Sequence, residues 1–148
     1  MSLKLQVQED MKVAMRQKEK ERLAAIRLIL AAIKQREVDE RIELDDAQVL
    51  SVLDKMIKQR QESIVQYQKA ERPELVAQEQ FEIEVLQTYL PPALSATELN
   101  DLIAKAICDV AATAIKDMGK VMALLRPQIQ GRADVAAVSA QVKHRLSN

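Results

Sequence analysis

Apolar residues recur every three or four positions along most of the chain, and no segment shows the strict apolar–polar alternation of a half-buried strand. This spacing places the apolar side chains on one face of an α-helix. The pattern therefore predicts an all-α protein of about seven helices. Four are predicted in the first part of the chain and three shorter ones in the second, near residues 3–15, 20–37, 45–69, 73–89, 96–111, 118–130 and 135–146.

Residues that favour helix ends support these boundaries. Asp45 and Ser95 each precede a glutamine or glutamate by three residues, which is the spacing of a capping box. Pro91 and Pro92 stop the helix before them, because proline removes a backbone donor and clashes with the preceding turn. The sequence thus predicts a helical N-terminal domain of about four helices over residues 1–92 and a three-helix C-terminal domain over residues 93–148.

The composition is typical of a helical protein in water. Hydrophobic residues make up 48% of the 148 residues and charged ones 30%, while two glycines and four prolines leave little material for tight strand turns. No apolar run approaches the roughly 20 residues that span a bilayer, and the N-terminus does not resemble a secretory signal peptide. The single cysteine excludes an internal disulfide. These features predict a cytoplasmic protein with no membrane partner.

The charges balance overall but are unevenly distributed. Twenty-two bases match 22 acids, so the whole chain has no field that would attract nucleic acid. Residues 1–92 hold 15 bases against 17 acids, whereas residues 110–148 hold six bases against two acids. The C-terminal part is therefore mildly basic.

Charged residues on apolar helix faces predict contacts between helices. Arg60 lies near the centre of the apolar stripe of the third predicted helix, and Glu79 and Glu82 straddle the stripe of the fourth. An unpaired buried charge is costly, so these groups favour an interhelical ion pair over a catalytic site. A helical di-iron site needs two Glu-x-x-His pairs, and the one histidine, His144, lies in the other predicted domain. The sequence predicts no catalytic residue, metal or cofactor.

A row of bases and a lone cysteine stand apart from these patterns. Lys20, Arg27 and Lys34 are spaced by seven along the edge of the apolar stripe of the second predicted helix. Cys108 is predicted to be a small core or boundary residue rather than a nucleophile, because it has no evident partner base. Neither feature is assigned an activity.

Both glycines of the chain lie in the segment DMGKVMALLRPQIQGRAD, and each precedes a base. The segment is not a Walker phosphate loop, because it lacks the strand and the spacing of that motif. Gly119 is predicted in the first turn of a helix capped by Asp117, where it would allow close approach by a neighbour. Gly131 is predicted to end that helix in the left-handed conformation, with Asp134 capping the next helix.

The bases near the glycines predict a small basic surface. Lys120 and Arg126 fall opposite the apolar stripe, and Arg132 in the turn and Lys143 on the last helix can join them beside a helix start that favours anions. The last predicted helix opens with Val-Ala-Ala, which cannot bond a base edge, so DNA reading is not expected. Contact with a structured RNA through its phosphates stays open.

Three stretches of the sequence resemble a known family. RLILAAIKQREVD, KMIKQRQESIVQYQKAERPELVAQEQFEIEVLQTYLP and MGKVMALLRPQIQGRAD together are similar to the GatB/YqeY family, specifically to its stand-alone YqeY-like members. The similarity covers essentially the whole chain. It implies a helical N-terminal domain joined to a three-helix C-terminal domain.

The resemblance also implies a link to tRNA. The same module forms the tail of the GatB subunit of the tRNA-dependent amidotransferase, where it helps to hold the tRNA, and Lys120, Gly131, Arg132 and Asp134 match the motif of that tail. The family label is a carbon–nitrogen ligase with glutamine as amido-N-donor. This chain lacks the ATP-binding cradle domain and the amidase subunit that the reaction needs.

Three functions therefore follow as alternatives. The expected one is a tRNA-associated accessory module that binds tRNA, or a tRNA-modifying or aminoacylation enzyme, without catalysing a reaction alone. The others are a component of a carbon–nitrogen ligase that uses glutamine, and a helical bundle that only binds proteins.

Overall fold

The computed structural model describes residues 1–147 of the chain. This range contains seven α-helices, one short 3₁₀ helix and no β-strand, so the prediction of an all-α protein is confirmed. Within it, no helix has both the length and the apolar character needed to cross a bilayer. The helices are α1 (Leu3–Arg16), α2 (Lys20–Glu40), α3 (Asp46–Lys69), α4 (Pro73–Gln87), α5 (Ala96–Asp109), the 3₁₀ helix (Ile115–Asp117), α6 (Met118–Ile129) and α7 (Val135–Ser147).

The chain divides into two compact units, and each has its own apolar core. The N-terminal unit, Met1–Leu90, contains α1 to α4, and the C-terminal unit, Pro91–Asn148, contains the 3₁₀ helix and α5 to α7. In the described part of the chain no polar or charged residue is buried in either core. The core side chains include Val7, Ile26, Ile33, Leu53 and Leu86 in the first unit and Ile103, Val121, Leu125, Ile129 and Val138 in the second.

A carboxylate connects the first helices of the N-terminal unit. Lys4, near the start of α1, places its Nζ 2.9 Å from both oxygens of Glu37, near the end of α2, so the two helices run antiparallel. The same carboxylate accepts the backbone N–H of Leu44 at 2.9 Å. The hydrogen bond from Lys4 and then that from Leu44 hold the pKa of Glu37 below its ordinary value. Glu37 therefore joins α1, α2 and the loop before α3.

A tyrosine at the end of the unit binds its first helix. The hydroxyl of Tyr89, which follows α4, donates a 2.6 Å hydrogen bond to Asp10 of α1. The ring is 7% exposed. Burial, followed by the hydrogen bond to Asp10, raises the pKa of the phenol. This bond fixes the C-terminal end of the unit on its N-terminal helix.

Most helix ends agree closely with the sequence signals. Capping boxes are present at Asp45 and at Ser95. However, α2 ends at Glu40 rather than near residue 37. The apolar stripe of α2 ends before the helix does. Arg36 forms an ion pair with Glu40 one turn later, and such a pair stabilises the exposed last turn of the helix. Arg41 then takes a φ of 54° and ends the helix.

Gly131 shapes the turn between α6 and α7. It follows the C-terminal end of α6 with a φ of 73°, in the left-handed region that favours glycine. The next residue, Arg132, accepts the backbone N–H of Leu94 at 2.9 Å through its carbonyl oxygen. The carboxylate of Asp134 then accepts the N–H of Ala136 at 3.2 Å, within the first turn of α7. The turn thus returns the chain to the segment before α5.

Helix α6 starts at Met118, as predicted, but the predicted cap at Asp117 is wrong. Asp117 does not cap α6, because its carboxylate points back and accepts the N–H groups of Thr113 at 3.0 Å and Ala114 at 3.3 Å. The 3₁₀ turn runs directly into α6, so the helical segment begins before Asp117. No neighbour approaches Gly119 either, since a Cβ there would meet nothing within 4 Å. The predicted close contact at Gly119 was wrong.

The two glycines predict opposite effects of substitution. Gly131→Val should lower the free energy of unfolding by about 1–2 kcal/mol or more, because a β-branched residue resists the left-handed conformation. Gly119→Ala has open space on a helix and should be neutral or stabilising by up to about 1 kcal/mol. Urea unfolding followed by circular dichroism measures both. Equal shifts of the two midpoints would contradict the structural difference between the glycines.

Candidate nucleic-acid interface

Three of the four bases predicted to bind tRNA are available on the surface of the C-terminal unit. Lys120 and Arg126 of α6 and Lys143 of α7 are exposed. Within residues 1–147, none of the three forms an ion pair or a side-chain hydrogen bond. Each can therefore approach an anion without first breaking a contact within the protein.

The two bases of α6 do not share one line on the helix. At about 100° per residue, Lys120 points almost directly away from the buried side, which contains Val121 and Leu125. Arg126 lies about 120° around the helix from Lys120, at the border of the buried side. The bases of α6 are therefore spread over its outer surface rather than directed at one point.

Arg132, the fourth predicted base, is already bound within the unit. Its Nε donates to the carbonyl oxygen of Pro92 at 3.0 Å, and a terminal nitrogen lies 3.9 Å from Glu98. The side chain is 34% exposed. Together with the backbone bond to Leu94, these contacts hold the segment before α5 against the turn after α6. Arg132 therefore positions this segment, and its guanidinium is less available to a phosphate.

The helix start expected to favour an anion already carries a negative charge. Asp117 supplies this negative charge. The backbone hydrogen bonds from Thr113 and then from Ala114 lower the pKa of its carboxyl, and the nearby Lys116 and Lys120 lower it by a smaller amount. An ionised carboxylate at this position repels an incoming phosphate. Any anion contact in this region must therefore come from the basic side chains and not from the start of α6.

The predicted charges of the N-terminal unit form a contact between α3 and α4. Arg60 donates from Nε to Glu82 at 2.9 Å and from a terminal nitrogen to the carbonyl of Met56 at 3.2 Å. The side chains of Arg60 and Glu82 are only 14% and 15% exposed. Glu79 lies beside the pair, and burial, followed by repulsion from Glu82, raises the pKa of its carboxyl. The contacts are those of a structural ion pair.

The remaining candidate residues lie at the surface. His144 is on the exposed side of α7, and Cys108 is exposed on α5 rather than in the core or at its boundary. The wrong prediction for Cys108 arose because it directly follows Ile107, and adjacent residues on a helix point about 100° apart. No group of three His, Cys, Asp or Glu side chains in residues 1–147 could hold a metal ion.

Comparison with known proteins decides the family. The model of the family described as Yqey-like protein matches residues 4–146. The chain belongs to the YqeY-like family. This confirms the resemblance seen in the sequence.

Curated relatives in fungi are similar to most of this YqeY-like chain. A protein of Pyrenophora tritici-repentis is 32% identical over 93% of this chain and 77% of its own length. One of Eremothecium gossypii is 38% identical over 63% and 52%. A third, of Vanderwaltozyma polyspora, is 32% identical over 72% and 59%. The match thus spans little more than half the length of the last two. All three are named "Altered inheritance of mitochondria protein 41, mitochondrial".

These names overturn the prediction of a cytoplasmic protein. The relatives are named as mitochondrial, which points to mitochondria rather than to the cytoplasm. The prediction was wrong because it used the absence of a secretory signal, of an apolar span and of a disulfide framework in the sequence. None of these features distinguishes a cytoplasmic protein from one inside a mitochondrion.

The Arg60–Glu82 contact predicts unequal effects of two neighbouring substitutions. Arg60→Ala should lower the free energy of unfolding by about 1.5–3 kcal/mol, because it removes charged hydrogen bonds and leaves the mostly buried carboxylate of Glu82 unpaired. Lys58→Ala should cost less than about 0.5 kcal/mol, because its 3.6 Å pair with Asp54 is exposed. Urea midpoints of the two variants test the difference. Equal midpoints would remove the stabilising role of the Arg60 contact.

The raised pKa of Glu79 predicts a stabilising substitution that depends on pH. The folded protein disfavours the charged form of this carboxyl, so Glu79→Gln should raise the urea midpoint at neutral pH. The gain should disappear as the pH falls below the ordinary pKa of 4.5, since the carboxyl is then protonated in both states. Glu84→Gln, an exposed carboxyl of the same helix, serves as the control. A gain for Glu79→Gln that did not change with pH would contradict this explanation.

Proposed function

We propose that this YqeY-like chain is a tRNA-associated accessory module. It binds tRNA, or an enzyme that acts on tRNA, and does not make or break bonds by itself. The observation that carries the proposal is the set of three exposed and unpaired bases of the C-terminal unit, Lys120, Arg126 and Lys143. The resemblance of the MGKVM…GRAD segment to the tail of GatB supports tRNA as the nucleic acid.

The proposed contact uses phosphates rather than bases. A surface lysine or arginine that meets a phosphate releases a bound counterion, which makes binding favourable and sensitive to salt. The first residues of α7, Val135, Ala136 and Ala137, have no side chain that could bond a base edge. The module thus recognises the shape and charge of the RNA. Gly131 and Arg132 contribute by fixing the turn between the helices that carry the bases.

Mitochondria are the proposed place of action, since the curated relatives are named as mitochondrial. A tRNA module in this compartment would meet a small set of tRNAs and the enzymes that charge or modify them. The partner is accordingly proposed to be a mitochondrial tRNA or one of these enzymes.

Charge reversal tests the proposed surface directly. Arg126→Glu with Lys143→Glu should weaken the binding of unfractionated tRNA, measured by fluorescence anisotropy between about 50 and 200 mM salt. Each lost phosphate contact should reduce the slope of log K against log salt by about 0.7–0.9, so the pair should reduce it by about 1.5.

The matched control is Lys55→Glu with Lys69→Glu, which makes the same charge change at two exposed positions of α3. Circular dichroism should be unchanged in both proteins. Equal loss of binding in the control would mean that only the net charge matters, and the proposed surface would be wrong. Failure of the parent protein to bind tRNA at the lowest salt would exclude direct tRNA binding.

A further inference from the structure

The row of bases on α2 lies outside the proposed C-terminal surface. Lys20, Arg27 and Lys34 are exposed, and none of them forms an ion pair or a side-chain hydrogen bond in the described part of the chain. At 1.5 Å per residue, neighbouring members are about 10.5 Å apart and the row is about 21 Å long. An unpaired row of this length on one side of a helix can contact an extended anion.

The first helix adds bases to the same side of the unit. Lys34 shares a groove of about 340 Å³ with Lys4 and Lys12 of α1, and Met11 and Leu30 contribute its apolar walls. The antiparallel packing of the two helices brings these lysines together, although they are more than 20 residues apart in sequence. We call Lys4, Lys12, Lys20, Arg27 and Lys34 the cationic face.

The acids near this face do not cancel its charge. Glu37, the one carboxylate that lines the groove, is held mainly by Lys4 and by the N–H of Leu44, and its attraction to Lys34 is weaker. Glu9 lies 3.1 Å from Lys12, but both side chains are more than half exposed, and such a pair contributes little. Lys12 can therefore exchange this partner for a phosphate.

We propose that the cationic face of α1 and α2 is a second RNA-contact surface, on which Lys12, Lys20, Arg27 and Lys34 bind phosphates of one RNA backbone. The inference rests on the proposed function, that the chain binds tRNA. It adds to that function a separate surface in the N-terminal unit.

An RNA backbone fits this face better than a protein helix does. Of the exposed residues beside the row along α2, Ala24 and Ala31 have small side chains that leave the bases accessible, and Leu28 adds one large apolar side chain. One exposed leucine offers less apolar area than the repeated large apolar side chains of a stable helix–helix contact. Phosphate contacts need only accessible cations.

The test measures how charge reversal on the cationic face changes binding of unfractionated tRNA by the full chain. Arg27→Glu with Lys34→Glu should weaken binding and reduce the salt slope by about 1.5, the change expected for two lost contacts. The neutral variant Arg27→Gln with Lys34→Gln should give the same reduction of slope, and it avoids placing a new carboxylate next to Glu37. Lys55→Glu with Lys69→Glu is again the matched control, and circular dichroism verifies folding.

The outcomes separate this inference from the proposed function. Loss of tRNA binding in the C-terminal variant but not in the Arg27 and Lys34 variants would overturn the inference and leave the function standing. No binding by the parent protein would overturn both. If the two variants bind tRNA like the control but lose binding to a synthetic helical peptide rich in glutamate, the face is a protein site and the inference is wrong. A reduced slope in both pairs of variants, larger still when they are combined, would support two surfaces.

Discussion

Hydrophobic side chains fill both cores of this protein, and within residues 1–147 no charged residue is buried. This constraint determines where the charged groups of the molecule lie. The phenol of Tyr89 is the polar exception, since it lies in the first core, where burial and the hydrogen bond to Asp10 raise its pKa. The charged groups lie at the surface or at the core margins, where they can act on a partner through long-range attraction and salt-sensitive contacts.

Three polar contacts at the margins of these cores join segments that are distant in the chain. Glu37 fixes α1 against α2, Glu82 receives Arg60 between α4 and α3, and Arg132 holds the segment before α5. Each pair uses up a charge that would otherwise be available to a partner. Lys4 belongs to the cationic face as well, but the bases proposed to bind phosphates are other side chains, so structural and binding roles fall mainly on different residues.

Much of the fold could be predicted from the sequence because its signals are local. The apolar period of three to four, the caps at Asp45 and Ser95 and the paired prolines each act within a few residues. Where a local signal was weak, the prediction was wrong: α2 continued past its apolar stripe because Arg36 and Glu40 support one more turn. The cap of α6 was misjudged, since the carboxylate of Asp117 accepts hydrogen bonds from the turn before the helix rather than from the helix itself.

The candidate sites were less predictable because their decisive contacts are distant in sequence. The bond from Arg132 to Pro92 spans 40 positions, and no pattern around either residue indicates it. The grouping of Lys34 with Lys4 and Lys12 likewise depends on how α1 and α2 pair. The seven-residue spacing of Lys20, Arg27 and Lys34 indicated one part of the cationic face in the sequence. That spacing alone does not reveal the bases that α1 contributes.

The hydrogen bond between Tyr89 and Asp10 has a consequence for how the protein is made. The two residues are 79 positions apart, so this contact cannot form until nearly the whole N-terminal unit has left the ribosome. Before α3 emerges, α1 and α2 can pair only with each other, and their apolar sides are covered fully only when α3 and α4 have followed. Domains generally fold as units during synthesis, at roughly 5–20 residues per second. The first unit should therefore complete its packing within seconds of the emergence of Tyr89, while the C-terminal helices are still being added.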